Sequence, residues 1–584
     1  MGVCTNDKIW WKDRHTLATL FLCVPLFFLL IPMGYRSALV ERNSVFTEEI
    51  EALRVNDEAL TTRSLLIRIL LQGDETCSIS RESENNLRDR IERGVSKSDV
   101  GDVRFRFEYL KREKNDGEGV KSVIARVLDN KIESLYDIDD TLQTVYDNYT
   151  ADSSTYVFIA VASASFERTR FVMGRYRCGW IRISCKDSTT ANNFRTTAGL
   201  MVETLSLLAG RSLKAPLGAS AASPVALDHQ LTFTFAIEEP LTSKSQQIHW
   251  DFAEVHRRFL WPFLHKIRRV SRFDVQSQYL RHIFLGKPMD KKIVKSDVLA
   301  FTRGRSLNFG LDVADRYPRA RHLHFVLYLP SHARQPLSIF RDRHHRRNSQ
   351  NEGADALVVT NWGGLSILNY VGHYNVSAAS NGPHMLPTNT TLKRHMGVFV
   401  SQLRRHLGLR GTNEYSRDAS EATKDMITFL AAREDGICQW ELDALHWRQI
   451  GALRRRTVET LQSLSRTIVS STDMVVKPHM TSLVRTSLDL LQHGDDLLSS
   501  SQDRVEAVDA LRGALELAEG AAYDPTTIRA EHFDPEYFLC IFLPLLAPSA
   551  LPVLAAVARE LKKMRGRVFR SVFSSAGARK TKTT

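Results

Sequence analysis

Hydrophobic and polar positions are spread unevenly along this chain. Two stretches, residues 16–34 and 537–558, hold no charged side chain and are filled with Leu, Phe, Ile, Val and Ala. A helix of 19 residues reaches about 28 Å at 1.5 Å per residue, so both runs are expected to cross a bilayer. The first is longer than a signal-peptide apolar core, and Pro32-Met33-Gly34-Tyr35 is a poor cleavage site, which predicts an uncleaved signal anchor. Between the runs, short apolar segments at 65–71, 103–110, 156–162, 180–184, 230–236, 322–329, 356–360 and 365–369 predict strands. Residues 196–209 and 252–270 predict helices. In the second, Phe252, Val255, Phe259, Leu260 and Phe263 form a stripe at helical spacing that Pro262 is expected to kink or interrupt. From about residue 392 the strands are expected to stop, and 392–407, 421–434, 440–469 and 478–520 read as helices. Val505, Val508, Leu511 and Leu515 line one face of the last.

The pattern divides the chain into 1–15, a first span 16–34, an α/β body 35–391, a helical region 392–536, a second span 537–558 and a tail 559–584. The expected fold class is a mixed α/β domain with a C-terminal helical layer, flanked by two transmembrane helices. Residues 215–224, rich in Ala, Ser and Pro, and the basic stretch 341–350 read as loops, and no internal repeat is visible. In the second span Pro544, Pro548 and Pro552 recur every four residues. Each removes a backbone donor, and together they mark a stripe suited to packing against partner spans.

A formal net charge of +13 first suggests nucleic acid. Its placement removes that reading. The last 26 residues carry nine Lys or Arg and one Glu, net +8, residues 1–15 carry +1, and only +4 is left for the 502 residues of 35–536. Positive charge beyond the second span predicts a cytosolic tail, so with two spans both termini are cytosolic and the middle is lumenal or extracellular. Three N-glycosylation sequons, at Asn148, Asn375 and Asn389, lie between the spans. Four cysteines lie there too. Cys178 and Cys185 are near enough in sequence for a hairpin-type bridge, although spacing does not assign the pairing.

Motifs for chemistry are missing from the sequence. It contains no Gly-rich phosphate loop, no HExxH and no CxxC, so no cofactor or metal is expected. Trp362-Gly363-Gly364 lacks an accompanying GxSxG elbow and reads as a tight turn. Cys438 has no spacing-defined histidine partner and reads as a buried or bridged thiol.

Seven segments in order, LTFTFAIEEP (231–240), HWDFAEVHRRFLWPFL (249–264), RFDVQSQYL (272–280), LHFVLYLP (323–330), WGGLSILN (362–369), WELDALHW (440–447) and FDPEYFLCIFLPLLAPSALPVL (533–554), make the chain resemble the PIG-S family. Residues 40–225 match weakly, and the basic loop and tail depart from the pattern. The resemblance implies a non-catalytic, scaffolding subunit of the GPI transamidase complex of the endoplasmic reticulum membrane. That complex joins GPI anchors to C-terminally processed precursor proteins, with the nucleophile in a cysteine-protease-like PIG-K partner beside other multi-span subunits. Trp250, Asp251, Trp362, Trp440 and Trp447 are then expected as framework or partner-contact residues. The alternative from another class is a membrane-anchored lumenal hydrolase, in which Cys438 or a serine meets a histidine and an acid.

Overall fold

The computed structural model describes residues 46–525 apart from connecting stretches, the longest being 111–123, 209–227, 304–320 and 370–383, together with single helical positions between 548 and 565. In chain order the first elements are α1 (Thr47–Ala52), β1 (Arg63–Gly73), α2 (Arg81–Lys97), β2 (Val103–Leu110), α3 (Leu135–Thr150), β3 (Thr155–Ser163), β4 (Arg170–Met173), β5 (Cys178–Ser184) and α4 (Thr190–Ser206). Next come β6 (Asp228–Ile237), β7 (Ile248–His249), α5 (Phe252–Val255), a π turn (His256–Leu260), α6 (Trp261–Ile267), β8 (Arg272–Arg281), β9 (Lys292–Val294), α7 (Lys295–Arg303), β10 (Arg321–Leu329), β11 (Ser338–Phe340), β12 (Ala356–Val359), β13 (Gly363–Ile367) and β14 (His384–Met385). The last are α8 (Lys393–His406), β15 (Ile427–Phe429), α9 (Gln439–Ser470), α10 (Pro478–Ser499) and α11 (Arg504–Ala522).

The chain forms two compact units, each discontinuous in sequence. One comprises residues 1–53, 458–488 and 516–584. Its described core is helical: Ile50 of α1, Leu461, Leu464 and Ile468 of α9, Met480 and Val484 of α10, and Ala518 and Ala521 of α11 are buried together. Gln462 Nε2 donates to the Leu53 carbonyl at 2.9 Å, and the Arg485 guanidinium lies 4.9 Å over the Phe46 ring.

The other unit, residues 54–457 and 489–515, holds two sheets of the same design. The first has the order β15-β4-β5-β3-β1-β2 and the second β12-β13-β10-β6-β8. In each half the first strand pairs in parallel with the second and third, the third pairs in parallel with the fifth, and the fourth and fifth form an antiparallel hairpin. The helices follow the same plan. On the first sheet α2 and α4 cover one face and α3 the other, while on the second α5–α6 and α8 cover one face and α7 the other. Strand alternation supplies both cores. Tyr156, Phe158, Ala160 and Ala162 of β3 face the α2/α4 layer, and Val157, Ile159 and Val161 face α3. Sheets covered on both faces need nearly continuous apolar strands, which explains why β3 is buried along its whole length. The repeated topology is thus a tertiary fact that the sequence, in which no repeat is visible, does not reveal.

The predicted strands are all present, with ends shifted by one or two residues. Three expectations change. Strands do not stop at 392: within 421–434, expected as helix, Ile427 and Phe429 alternate inward around exposed Thr428 and add β15 in parallel to the edge of β4. Three residues are too few for a legible periodicity. Residues 478–520 are two helices, α10 and α11, and the sequence between them, Ser500-Ser501-Gln502-Asp503, is a run of turn and cap formers. The segment 252–270 is interrupted, as Pro262 requires, but by a π turn one residue before α6. Pro262 falls in the first turn of α6, which Trp261 opens, where its missing N–H is not required.

The disulfide also differs from the hairpin pairing. Cys77 is bridged to Cys185, with Cα atoms 6.4 Å apart, and Cys178 is a free, buried thiol. Cys178 and Cys185 bracket the extended strand β5, whose seven steps hold them roughly 23 Å apart at about 3.3 Å per residue, beyond the reach of a bridge. The WGG segment forms the tight turn of the β12–β13 hairpin, in which Trp362 N donates to the Val359 carbonyl. Gly363 has φ +137°, and a Cβ there would collide with the His324 carbonyl of β10, so no other residue fits. Residues 16–34 and most of 537–558, including Pro544 and Pro552, lie outside the described residues, as do Asn375, Asn389 and 343–350. Pro548 is helical and exposed, and Asn148 sits in the last turn of α3. Among the described residues no helix is long and apolar enough to cross a membrane.

Peptide mapping of unreduced protein is expected to yield a Cys77–Cys185 linked pair that survives Cys178→Ser. A linked Cys178–Cys185 peptide would contradict this fold. Gly363→Ala is expected to destabilise by more than about 1 kcal/mol in chemical denaturation, because both the φ angle and the collision oppose it.

Candidate functional site

The start of α9, residues 438–447, carries a buried polar network within the two-sheet unit. Glu441 stands three residues after Cys438, and its carboxylate accepts from the Cys438 backbone N–H at 2.9 Å, the return half of a capping box. An acid in the first helical turn is also favoured by the helix dipole. The same carboxylate takes a two-pronged pair from Arg404 of α8, at 2.9 and 2.6 Å, and the Tyr415 hydroxyl at 3.1 Å. Arg404 also donates to the Gly436 and Arg410 carbonyls, so its fork is fully engaged. Two residues further, about half a turn around the helix, Asp443 takes the Arg177 fork at 2.7 and 2.8 Å and the Tyr156 hydroxyl of β3 at 3.1 Å. Both carboxylates are buried.

These two acids reach opposite halves of the unit. Arg404 belongs to the helix packed on the second sheet, whereas Arg177 leads into β5 of the first. The apolar residues around them divide the same way. Trp440 packs in the first sheet's core and donates from Nε1 to the Gly174 carbonyl at 3.1 Å, while Leu442 and Leu445 belong to the second sheet's core. The α9 start is therefore a joint that binds each α/β half through one charge pair and through apolar side chains.

The other expected framework residues are dispersed. Trp250 is buried in the second sheet's core against Phe235, with ring centroids 5.5 Å apart. Asp251 caps α5, its side chain accepting from the Glu254 N–H at 3.1 Å. Trp362 is half-buried beside His324, and Trp447 lies under the Arg504 guanidinium at 4.8 Å. Trp440 and Trp447 lie on the α9 start, and of the two Trp440 packs between the charge pairs of the joint. Glu441, Asp443, Arg404 and Arg177, which hold it together, were not anticipated. The available signal was two acids at i and i+2 inside an apolar helix start, three residues after a cap position.

Open α/β sheets place ligands at the carboxyl ends of strands, where strand order reverses. Here those points lie between β1 and β3 and between β6 and β10, and contacts within the chain cross beside both. Past β1 and β5, Cys77 is joined to Cys185, and Cys185 N donates to the Ser163 carbonyl at the end of β3. Past β6, buried Glu238 accepts from Ser331 N at 2.9 Å and from Arg334 Nη1 at 2.8 Å, and Arg334 also donates to the Leu285 and Asp290 carbonyls. Burial raises the Cys438 thiol, which donates to the Leu430 carbonyl at 3.5 Å, well above the ordinary range. A protonated, buried thiol is a poor nucleophile. Ser366 Oγ and His395 Nδ1 are 2.8 Å apart, but both are buried in the β13–α8 contact. Burial lowers His395 to about 4 and His229, hydrogen-bonded to Ser271, to about 3, so both rings are neutral at pH 7. Among the described residues no cluster of three or more His, Cys, Asp or Glu is placed to hold a metal.

Fold and site together define a duplicated α/β protein joined by one shared helix start. The family model of PIG-S, phosphatidylinositol-glycan biosynthesis class S protein, matches residues 21–567, and the chain belongs to that family. It is 27% identical over 343 residues to the GPI-anchor transamidase component PIGS of Bos taurus, covering 57% of this chain and 56% of that protein. It is 26% identical over 351 residues to the Homo sapiens protein of the same name, covering 58% of each. The GPI transamidase component PIG-S homolog of Schizosaccharomyces pombe is 22% identical over 325 residues, covering 55% of this chain and 51% of that protein. The chain thus spans little more than half the length of the relatives it matches.

Removing one partner of the joint leaves a buried charge unpaired. Arg177→Ala and Arg404→Ala are each expected to cost about 3 to 5 kcal/mol in chemical denaturation. Arg177→Ala combined with Asp443→Leu should recover much of the loss, and a double variant no better than the single would contradict the pairing. The neutral histidines set a pH dependence. Their folded pKa values lie below the unfolded value of about 6.5, so the unfolded chain binds more protons as pH falls and stability declines between about 6.5 and 4. Thermal midpoints measured across that window should fall less steeply in His395→Gln, and an unchanged slope would show that this ring is not buried neutral.

Proposed function

We propose that this chain is a non-catalytic, scaffolding subunit of a GPI transamidase, supporting attachment of GPI anchors to C-terminally processed proteins. Family membership over residues 21–567 carries the proposal, and the names of the relatives supply the complex. The geometry agrees with a scaffold. Beside both switch points, which an α/β enzyme leaves open, the chain makes contacts with itself, a disulfide at one and the Glu238–Arg334 pair at the other. The buried carboxylates Glu441 and Asp443 are each committed to an arginine and a tyrosine, and join halves of the two-sheet unit.

In this reading the two apolar runs are membrane spans of the endoplasmic reticulum, both termini are cytosolic, and the two-sheet unit is lumenal. The proline stripe of the second span packs within the complex, against a PIG-K-like catalytic subunit and multi-span partners. The hydrolase alternative finds its nearest support in the Ser366–His395 contact, whose burial instead favours a packing role.

Purification of the tagged full chain in mild detergent should recover a cysteine-protease-like subunit and multi-span proteins, and their absence would overturn the assignment. In sealed microsomes a C-terminal tag should be digested by added protease while Asn375 carries glycan. A protected tag would reverse the orientation.

A further inference from the structure

A cleft of about 680 Å³ opens beside α8, the π turn and residues 431–436. Lys393, Gly397, Val400 and Arg404 recur along one face of α8 and line it, together with Arg258 and Phe259 of the π turn and Arg433. Four cations therefore meet one cleft, and among the described residues no carboxylate lines it. Arg404 is committed to Glu441. The acids nearest the other two arginines approach loosely: Glu254 and Asp140 stand 3.9 Å from Arg258 and Arg433, whose side chains are half-exposed. Arg433 is steadied by stacking 4.5 Å from the Tyr136 ring, which holds its guanidinium without neutralising it.

The internal duplication supplies an independent comparison. In the first half the corresponding helices, α2 and α4, pack directly, with Gly94 so close to Val202 that a Cβ would clash. In the second half the corresponding pair is α5–α6 and α8, and it carries the cleft, at the point where the π turn interrupts the first helix. A π turn inside a helix is a local cost that recurs at functional sites, and here it contributes Arg258 and Phe259 to the lining. The α8 floor is equally open at Gly397, where an added Cβ would meet nothing within 4 Å.

We propose that this cleft binds a phosphate ester. Arg258, Lys393 and Arg433 would share the phosphate oxygens, and Phe259 and Val400 would meet the organic part. A phosphate monoester presents three terminal oxygens to converging cations and a diester two beside its ester oxygens, arranged tetrahedrally rather than in the plane of a carboxylate, and the planar fork of arginine suits either. The cleft is far larger than a bare phosphate ion, which leaves room for a sugar-sized body. The ligand's source is either a soluble ester or a lipid headgroup. Arg404 is shared with the joint, but the three cations that would hold the phosphate, Arg258, Lys393 and Arg433, take no part in it, so the proposal stands apart from the scaffold reading.

The test uses the full chain in detergent, titrated with sn-glycerol 3-phosphate, and in parallel the reconstituted chain with phosphatidylcholine vesicles containing phosphatidylinositol. Saturable binding of the soluble ester supports a free ester, and binding confined to the vesicles supports a headgroup. Arg258→Ala with Arg433→Ala should weaken binding at least about tenfold, since each charge-assisted contact contributes more than a neutral one. Gly397→Leu should abolish binding by filling the cleft without changing its charge. Its thermal midpoint should be at or above the parent's, because glycine in a helix interior is the poorer helix former. No saturable binding of either probe, equal binding by both variants and the parent, or equal competition by a glutamate-rich peptide would overturn the proposal.

Discussion

Two carboxylates at the start of one helix govern this molecule. Glu441 and Asp443 are buried, and a buried charge is tolerable only when paired. Their partners, Arg404 and Arg177, come from opposite α/β halves, so neither half can complete its own electrostatics. Apolar contacts alone would permit many arrangements of similar energy between two smooth sandwiches. Two forked charge pairs, reinforced by Tyr156 and Tyr415, admit one. The net stabilisation from such pairs is small, and their effect is on specificity of docking.

The duplication gives this joint its meaning. Two sheets share strand order, strand sense and helix placement, yet they differ where each departs from the common plan. The first half gains β15 at its edge, closes α2 onto α4 and places a disulfide beside its switch point. The second places Glu238 and Arg334 beside the equivalent point and interrupts a helix with a π turn. The chain's own contacts cross beside both points of strand-order reversal, and the named relatives in its family are components of a larger enzyme.

Much of this was legible from residue pattern. Strands such as β3 and β6 are long, apolar and bounded by polar residues, so their existence followed from composition, and Pro262 announced a break because it lacks an N–H. The turn at Gly363 was legible for a similar reason, since two adjacent glycines bound by strands leave few other uses. β15 was not, because a three-residue strand has no periodicity of its own and exists only where β4 offers an edge. The Cys77–Cys185 bridge was equally hidden, because sequence distance misleads when an extended strand separates the nearer pair.

What the sequence determined by itself is local: apolar runs long enough for spans, the side of each strand that faces a core, the places where a helix must stop, and the family. These depend on neighbours in the chain and on side-chain chemistry. Tertiary structure alone decided which cysteine meets which, that two unlike stretches fold to one topology, and that Glu441 and Asp443 are structural charges with partners 37 and 266 residues away. Those outcomes rest on pairwise distances between remote segments, and burial converts such distances into large energies only once the chain has folded.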